Sequence, residues 1–93
     1  MKAIWNNKII AESKVTEVVE DNHYFPHDTI KQKFFKKSES NSMCPWKGKA
    51  SYYTLNVDGR ENIDAAWYYP DAKEGAKHIE NYVAFWKGVE VTE

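Results

Sequence analysis

Short β-prone runs recur along this chain, each bounded by residues that favour turns. Lys2 to Trp5 and Lys8 to Ala11 flank Asn6-Asn7, and asparagine tolerates the positive φ of a two-residue turn, so the chain opens on a predicted hairpin. Val15 to Glu20 is rich in β-branched residues and leads to Tyr24-Phe25-Pro26, where proline forces its predecessor to be extended and ends a third strand. His27 to Ile30 fits one helical turn, with Asp28 near its start. Phe34-Phe35 reads as a short buried strand among lysines, and Ser38 to Ser42 as a low-complexity loop. Lys49 to Val57 and Ile63 to Tyr69 form the strongest pattern, a hairpin around Asp58-Gly59. A two-residue turn sets Tyr52 opposite Ala65, Ala50 opposite Trp67 and Gly48 opposite Tyr69; a longer loop shifts the partners but keeps the faces.

After Pro70, Asp71 and Glu74 resemble a capping box, and Ala72, Ala76 and Ile79 recur at helical spacing up to Asn81. Gly75 costs this helix about 1 kcal/mol relative to alanine, so tertiary packing must hold it. Tyr82 to Trp86 and Val89 to Thr92 close the chain as a predicted hairpin on Lys87-Gly88. The expected fold class is mainly β, two small antiparallel sheets in a sandwich-like arrangement with one short helix.

Composition narrows the picture. A chain of 93 residues supports one hydrophobic core, so residues 1–93 are expected to form a single domain. Four Trp, six Tyr and four Phe give that core an aromatic character. Thirteen basic and fourteen acidic residues leave a net charge of -1, and no global field recommends nucleic acid or an anionic membrane. Cys44 is the only cysteine, which excludes an internal disulfide, a CxxC redox pair and a four-cysteine zinc site. A reducing compartment fits this usage. Polar residues interrupt the first eight positions too early for a signal peptide, and no run is long enough for a membrane span, so a cytoplasmic location is expected.

Candidate chemistry concentrates in Cys44-Pro45-Trp46-Lys47-Gly48, which joins a thiol, a fixed φ, a stacking surface, a cation and a permissive backbone position. Lys47 is the one nearby cation that could activate Cys44, yet residues three apart in an extended segment point to opposite faces, which favours a buried structural thiol. His23, His27 and His78 match no metal-ligand template with Asp28 or Cys44 and read as surface or hydrogen-bonded side chains. Lys31, Lys33, Lys36 and Lys37 around Phe34-Phe35 superficially suit single-stranded nucleic acid; without an accompanying motif they read better as a lysine-blunted edge strand.

Tyr24-Phe25-Pro26 with Asp28, the CPWKG block running into Ala50-Ser51-Tyr52-Tyr53, Ala65 to Pro70, and Tyr82-Val83-Ala84-Phe85 follow one another as in a known family. In these residues the chain resembles the domain of unknown function family numbered 427, some of whose catalogues carry a nucleotidyltransferase label. The paired carboxylates after a Gly-Ser that such enzymes use to hold two metal ions are missing here, although Glu17, Glu20, Asp21, Asp28, Asp58 and Asp64 are free to converge in space. The resemblance also implies a tent-like β fold, two antiparallel sheets pinned at one edge, often by zinc between CxxC knuckles. Both knuckles are absent from this sequence, so packing around Trp46 is expected in their place.

Small residues Gly48 and Ala50 on the strand face of Trp67 and Tyr69 suggest an opening floored by glycine. The functional expectation is a ligand-binding or interaction module whose shallow pocket is bounded by Tyr24, Trp46, Lys47, Trp67 and Tyr69, suited to a planar or weakly anionic ligand, with no cofactor. The alternative is a small enzyme in which Cys44 or an acidic residue does chemistry and Lys47 steadies an anion. A third reading has the aromatics simply filling a small core.

Overall fold

The computed structural model describes every residue from Met1 to Glu93. Nine strands follow in order: β1 (Lys2–Trp5), β2 (Lys8–Glu12), β3 (Glu17–Val19), β4 (Asn22–Tyr24), β5 (Phe35–Cys44), β6 (Gly48–Val57), β7 (Arg60–Tyr68), β8 (Val83–Phe85) and β9 (Glu90–Thr92). They form three antiparallel sheets, β2-β1-β9, β3-β4 and β5-β6-β7-β8, rather than the two expected. The third sheet arises because β3 and β4 pair with each other and join the large sheet only through the bridge of Phe25 to Val83. Two backbone bonds of 2.8 and 2.7 Å make that bridge and set β4 beside β8.

Asn6 and Asn7 at φ 50° and 65°, and Asp58 and Gly59 at φ 53° and 80°, make the two hairpin turns that their residue types predict. Val57 faces Arg60 across the second turn, but a bulge between Tyr53 and Leu55 shifts the pairing, so that Tyr52 faces Trp67 and Ser51 faces Tyr68. Asp64 causes the shift: it sits at φ 57°, and its amide donates to the Thr54 hydroxyl at 3.2 Å instead of continuing the ladder. A shift of two residues preserves the faces.

Three other expectations change. Ser38 to Ser42 lies within the ten-residue edge strand β5, interrupted by a bulge between Lys37 and Asn41, and Phe34 ends a 3-10 turn just before it. The helix after Pro70 is a 3-10 segment, Glu74–Ile79, broken at Ala76 with φ -125°. Its capping box does not form; the Glu80 carboxylate, from the other end, accepts the Ala72 amide at 3.0 Å and the Lys77 ammonium at 2.9 Å. With Gly75 inside and six residues in all, backbone propensity is too weak to extend it as an α-helix. Lys87-Gly88 is not a hairpin turn but a corner, since β8 pairs with β7 while β9 pairs with β1.

The large sheet is covered on both faces, as strand alternation requires. Tyr53, Leu55, Ala66, Val83 and Phe85 pack against Ala3, Ile10 and Ala11 of the first sheet. On the other face Ala50, Tyr69 and Ala84 meet Tyr24 of β4 and Ala72, Ala76 and Ile79 of the 3-10 segment. No helix is long and apolar enough to cross a membrane.

Candidate functional site

The candidate site lies on this second face, and its geometry begins with the connection from β5 to β6. Cys44 faces Gly48 across the strand pair, leaving Pro45, Trp46 and Lys47 to make the turn. Gly48 holds φ +112°, and a Cβ there would stand 3.2 Å from the Asp71 carbonyl oxygen, so the close approach of the 71–73 segment depends on glycine. The Lys47 carbonyl accepts the Lys73 amide at 3.0 Å, and the Lys73 ammonium donates to the Pro45 carbonyl at 2.8 Å. Clasped at both ends, the turn aims the Lys47 side chain inward.

Lys47 is only 6% exposed, the one charged residue of the chain that is buried. Its ammonium donates to, and forms an ion pair with, the Glu20 carboxylate on the β3–β4 turn. It also lies 5.1 Å from the centre of the Trp46 ring and 5.7 Å from that of Tyr69. Burial alone pulls this ammonium down, but the bond to Glu20 and the charges of Tyr24, Tyr69 and Glu20 outweigh it and hold the group above its ordinary range. The same bond and charge hold the Glu20 carboxyl low. Burial, with Tyr24 next in weight, pushes the Tyr69 phenol up to about 12, so it stays a neutral donor.

Beside Lys47 opens the one cavity of the molecule, about 160 Å³, lined by Lys47, Tyr52, Trp67, Tyr69 and Trp86. Tyr52 and Trp67 are cross-strand partners on β6 and β7, and the Tyr52 hydroxyl bonds the Ser42 hydroxyl at 2.8 Å. Trp67 meets Trp86 edge to face at 5.8 Å and Tyr24 at 6.2 Å, and donates its indole N–H to the Tyr24 hydroxyl at 3.2 Å. The Trp86 indole donates to the Asp64 carbonyl at 2.6 Å, so the bulge that shifts the hairpin register also anchors one wall. Both indoles are thus fixed by hydrogen bonds before anything enters.

Of the five residues named from sequence, Lys47, Trp67 and Tyr69 line the cavity. Tyr24 lies fully buried behind Trp67, and Trp46, 43% exposed, covers the Lys47 ammonium from outside the cavity. Tyr52 and Trp86 were not foreseen as walls. Both carried a signal: Tyr52 shares the face of Ala50, and Trp86 follows Ala84 by two residues on the strand face of Trp67.

Cys44 is half-buried rather than enclosed, because it sits at the exposed end of an edge strand, and it packs with the Tyr69 cluster without lining the cavity. The acidic residues that were free to converge do not, for no three His, Cys, Asp or Glu side chains come together in a way that could hold a metal ion. Asp64 stays by the β7 bulge, where Ser38 first, and then Ser40 and Lys87, lower its carboxyl against the effect of burial. His23 bonds the Thr16 hydroxyl at 2.8 Å. His27 donates from Nδ1 to the Asn81 carbonyl and accepts the Tyr53 hydroxyl at Nε2, both at 2.8 Å, while His78 is exposed. The lysines flanking Phe34-Phe35 border the edge strand, with Lys36 and Lys37 exposed upon it and both phenylalanines partly buried against the core.

A comparison with curated proteins returns no match to this chain. A family model described as Domain of unknown function (DUF427) matches residues 1–93, and with that match across the whole sequence the chain belongs to this family.

Proposed function

We propose that this domain binds a small molecule carrying one planar ring, with the ring held among Tyr52, Trp67, Tyr69 and Trp86 and a polar acceptor on its edge turned toward Lys47. The observation that carries the reading is the cavity itself: four aromatic walls and one buried ammonium around about 160 Å³. Apolar cavities of about 150 Å³ accept a benzene-sized molecule, so the aromatic walls here have room for one ring, while the open mouth leaves substituents on that ring free to extend into water. Lys47 supplies selectivity. An ammonium has three donors and Glu20 is its one protein acceptor, so an acceptor on the ligand satisfies a donor that otherwise faces aromatic rings.

Aromatic cages also bind quaternary ammonium ions. Here Lys47 already stands over the Tyr69 face, and a second cation beside it meets like-charge repulsion at low dielectric. The rival enzyme reading asks Cys44 or an acidic residue to do chemistry beside Lys47, and against it stands the lining of the cavity, whose walls include neither Cys44 nor any carboxylate. Titration of the protein with benzamide and, separately, with tetramethylammonium, followed by tryptophan fluorescence, tests the proposal. A saturable change with benzamide and none with tetramethylammonium is expected. The opposite pattern, or no response to benzamide, overturns it.

A further inference from the structure

We infer that the Glu20 carboxylate is a built-in occupant of the anion subsite and that the ligand is a monocyclic aromatic carboxylate which takes its place on Lys47. The inference rests on the reading of the cavity as a ligand site and adds the charge of the ligand and the means by which the chain controls access to it.

The two members of the ion pair differ sharply in their surroundings. The Lys47 side chain is 7% exposed and held by a clasped turn, whereas the Glu20 side chain is 57% exposed on a two-residue turn, Glu20-Asp21, at φ 52° and 65°. Lys47 cannot leave its site without the turn unclasping, and it cannot stand there unpaired without the cost of a buried charge. Glu20 can swing into water at little cost in solvation. An incoming ring bearing a carboxylate therefore exchanges one carboxylate for another on the same ammonium and adds ring contact with Trp67 and Trp86. A neutral ring makes the ring contact without displacing Glu20. The cavity is open beside Lys47, so the incoming carboxylate reaches the ammonium from the cavity side while Glu20 departs toward the β3–β4 turn.

Glu20 is tethered and acts at a high effective concentration, so it lowers the apparent affinity for an anionic ligand by the fraction of molecules in which Lys47 is free. Glu20→Gln removes the competing charge at an exposed position and keeps the side-chain shape. Benzoate and its neutral isostere benzamide are titrated into the wild-type protein and into Glu20→Gln by calorimetry. Glu20→Gln is expected to tighten benzoate by about tenfold and to leave benzamide unchanged. Lys47→Met, which keeps the apolar stem, is expected to lose benzoate binding and to weaken benzamide by less, since benzamide gives up one hydrogen bond to the ammonium while benzoate gives up its ion pair. If benzoate binds both proteins equally, or if benzamide tightens as much as benzoate, Glu20 is not a competitor and the inference falls while the ring site stands. If neither compound binds any of the proteins, the ring site and the inference fall together.

Discussion

Trp67→Ala separates a cavity wall from a core pillar. A tryptophan enclosed in a core costs about 3 to 5 kcal/mol when cut to alanine, through lost transfer energy and the void it leaves. Trp67 is only half-buried and borders an open cavity, so truncation enlarges an existing space that water reaches instead of creating a sealed void. What is lost is the hydrogen bond to the Tyr24 hydroxyl, about 1 kcal/mol, and two edge-to-face contacts with Tyr24 and Trp86, about 0.5 to 1.5 kcal/mol each. Tyr24 is fully buried, but its freed hydroxyl oxygen gains access to water through the vacated wall. The expected destabilisation is about 2 to 4 kcal/mol, or roughly 10 to 30 °C in Tm for a domain of this size. Urea denaturation measures it, and the variant should remain folded without denaturant and lose benzamide binding. A loss near 5 kcal/mol, or a variant that does not fold, makes Trp67 a core residue. Retention of benzamide binding removes it from the site.

Gly48→Ala should destabilise by about 1 to 3 kcal/mol through its positive φ, with the approach of the Asp71 carbonyl adding to the strain. Gly59→Ala, at φ +80° with no heavy atom near its Cβ, lacks that contact and should cost less; equal losses in thermal denaturation would refute the role given to the clasp. Stability should also fall at alkaline pH. Burial raises the Tyr53 phenol, with Tyr68 contributing, and the Tyr69 phenol, with Tyr24 contributing, each to about 12 from an ordinary 10.0. A raised folded value gives stability that is fully present below about pH 10 and lost as pH rises toward 12, and the raised Lys47 acts in the same direction. Urea midpoints that stay flat from pH 9 to 12 would contradict this, and Tyr53→Phe should flatten part of the decline.

Features that depend on a few adjacent residues were readable from the chain alone. Asn6-Asn7 and Asp58-Gly59 specify their turns because only residues tolerant of positive φ fit them, and alternation along β6 and β7 fixes which side chains share the face of Trp67. Features set by partners distant in sequence were not. Lys87-Gly88 has the chemistry of a hairpin turn, but the choice of β7 for β8 and β1 for β9 is made by the sheets and not by the turn. Asp64 adopts a left-handed conformation that no local rule demands, since its reward is a bond to Thr54 on the neighbouring strand. The alanine spacing after Pro70 marked the buried face correctly, yet Gly75 and the short span leave 3-10 turns.

The same division runs through the candidate site. Lys47 was notable by its neighbours in the CPWKG block, but its inward direction depends on bonds from Lys73 and its ion pair on a turn 27 residues earlier. Trp86 joins Trp67 only because β8 pairs with β7, and that pairing was hidden by the expected closing hairpin.

The most direct test of the ring site is a benzamide titration of the ¹⁵N-labelled protein, followed at the indole N–H resonances of its four tryptophans. Trp67 and Trp86, which form two of the cavity walls, should shift together along one saturable curve. Trp5, on β1 against the opposite core, should not move. Shifts confined to Trp5, or none at Trp67 and Trp86 up to millimolar benzamide, would contradict the account.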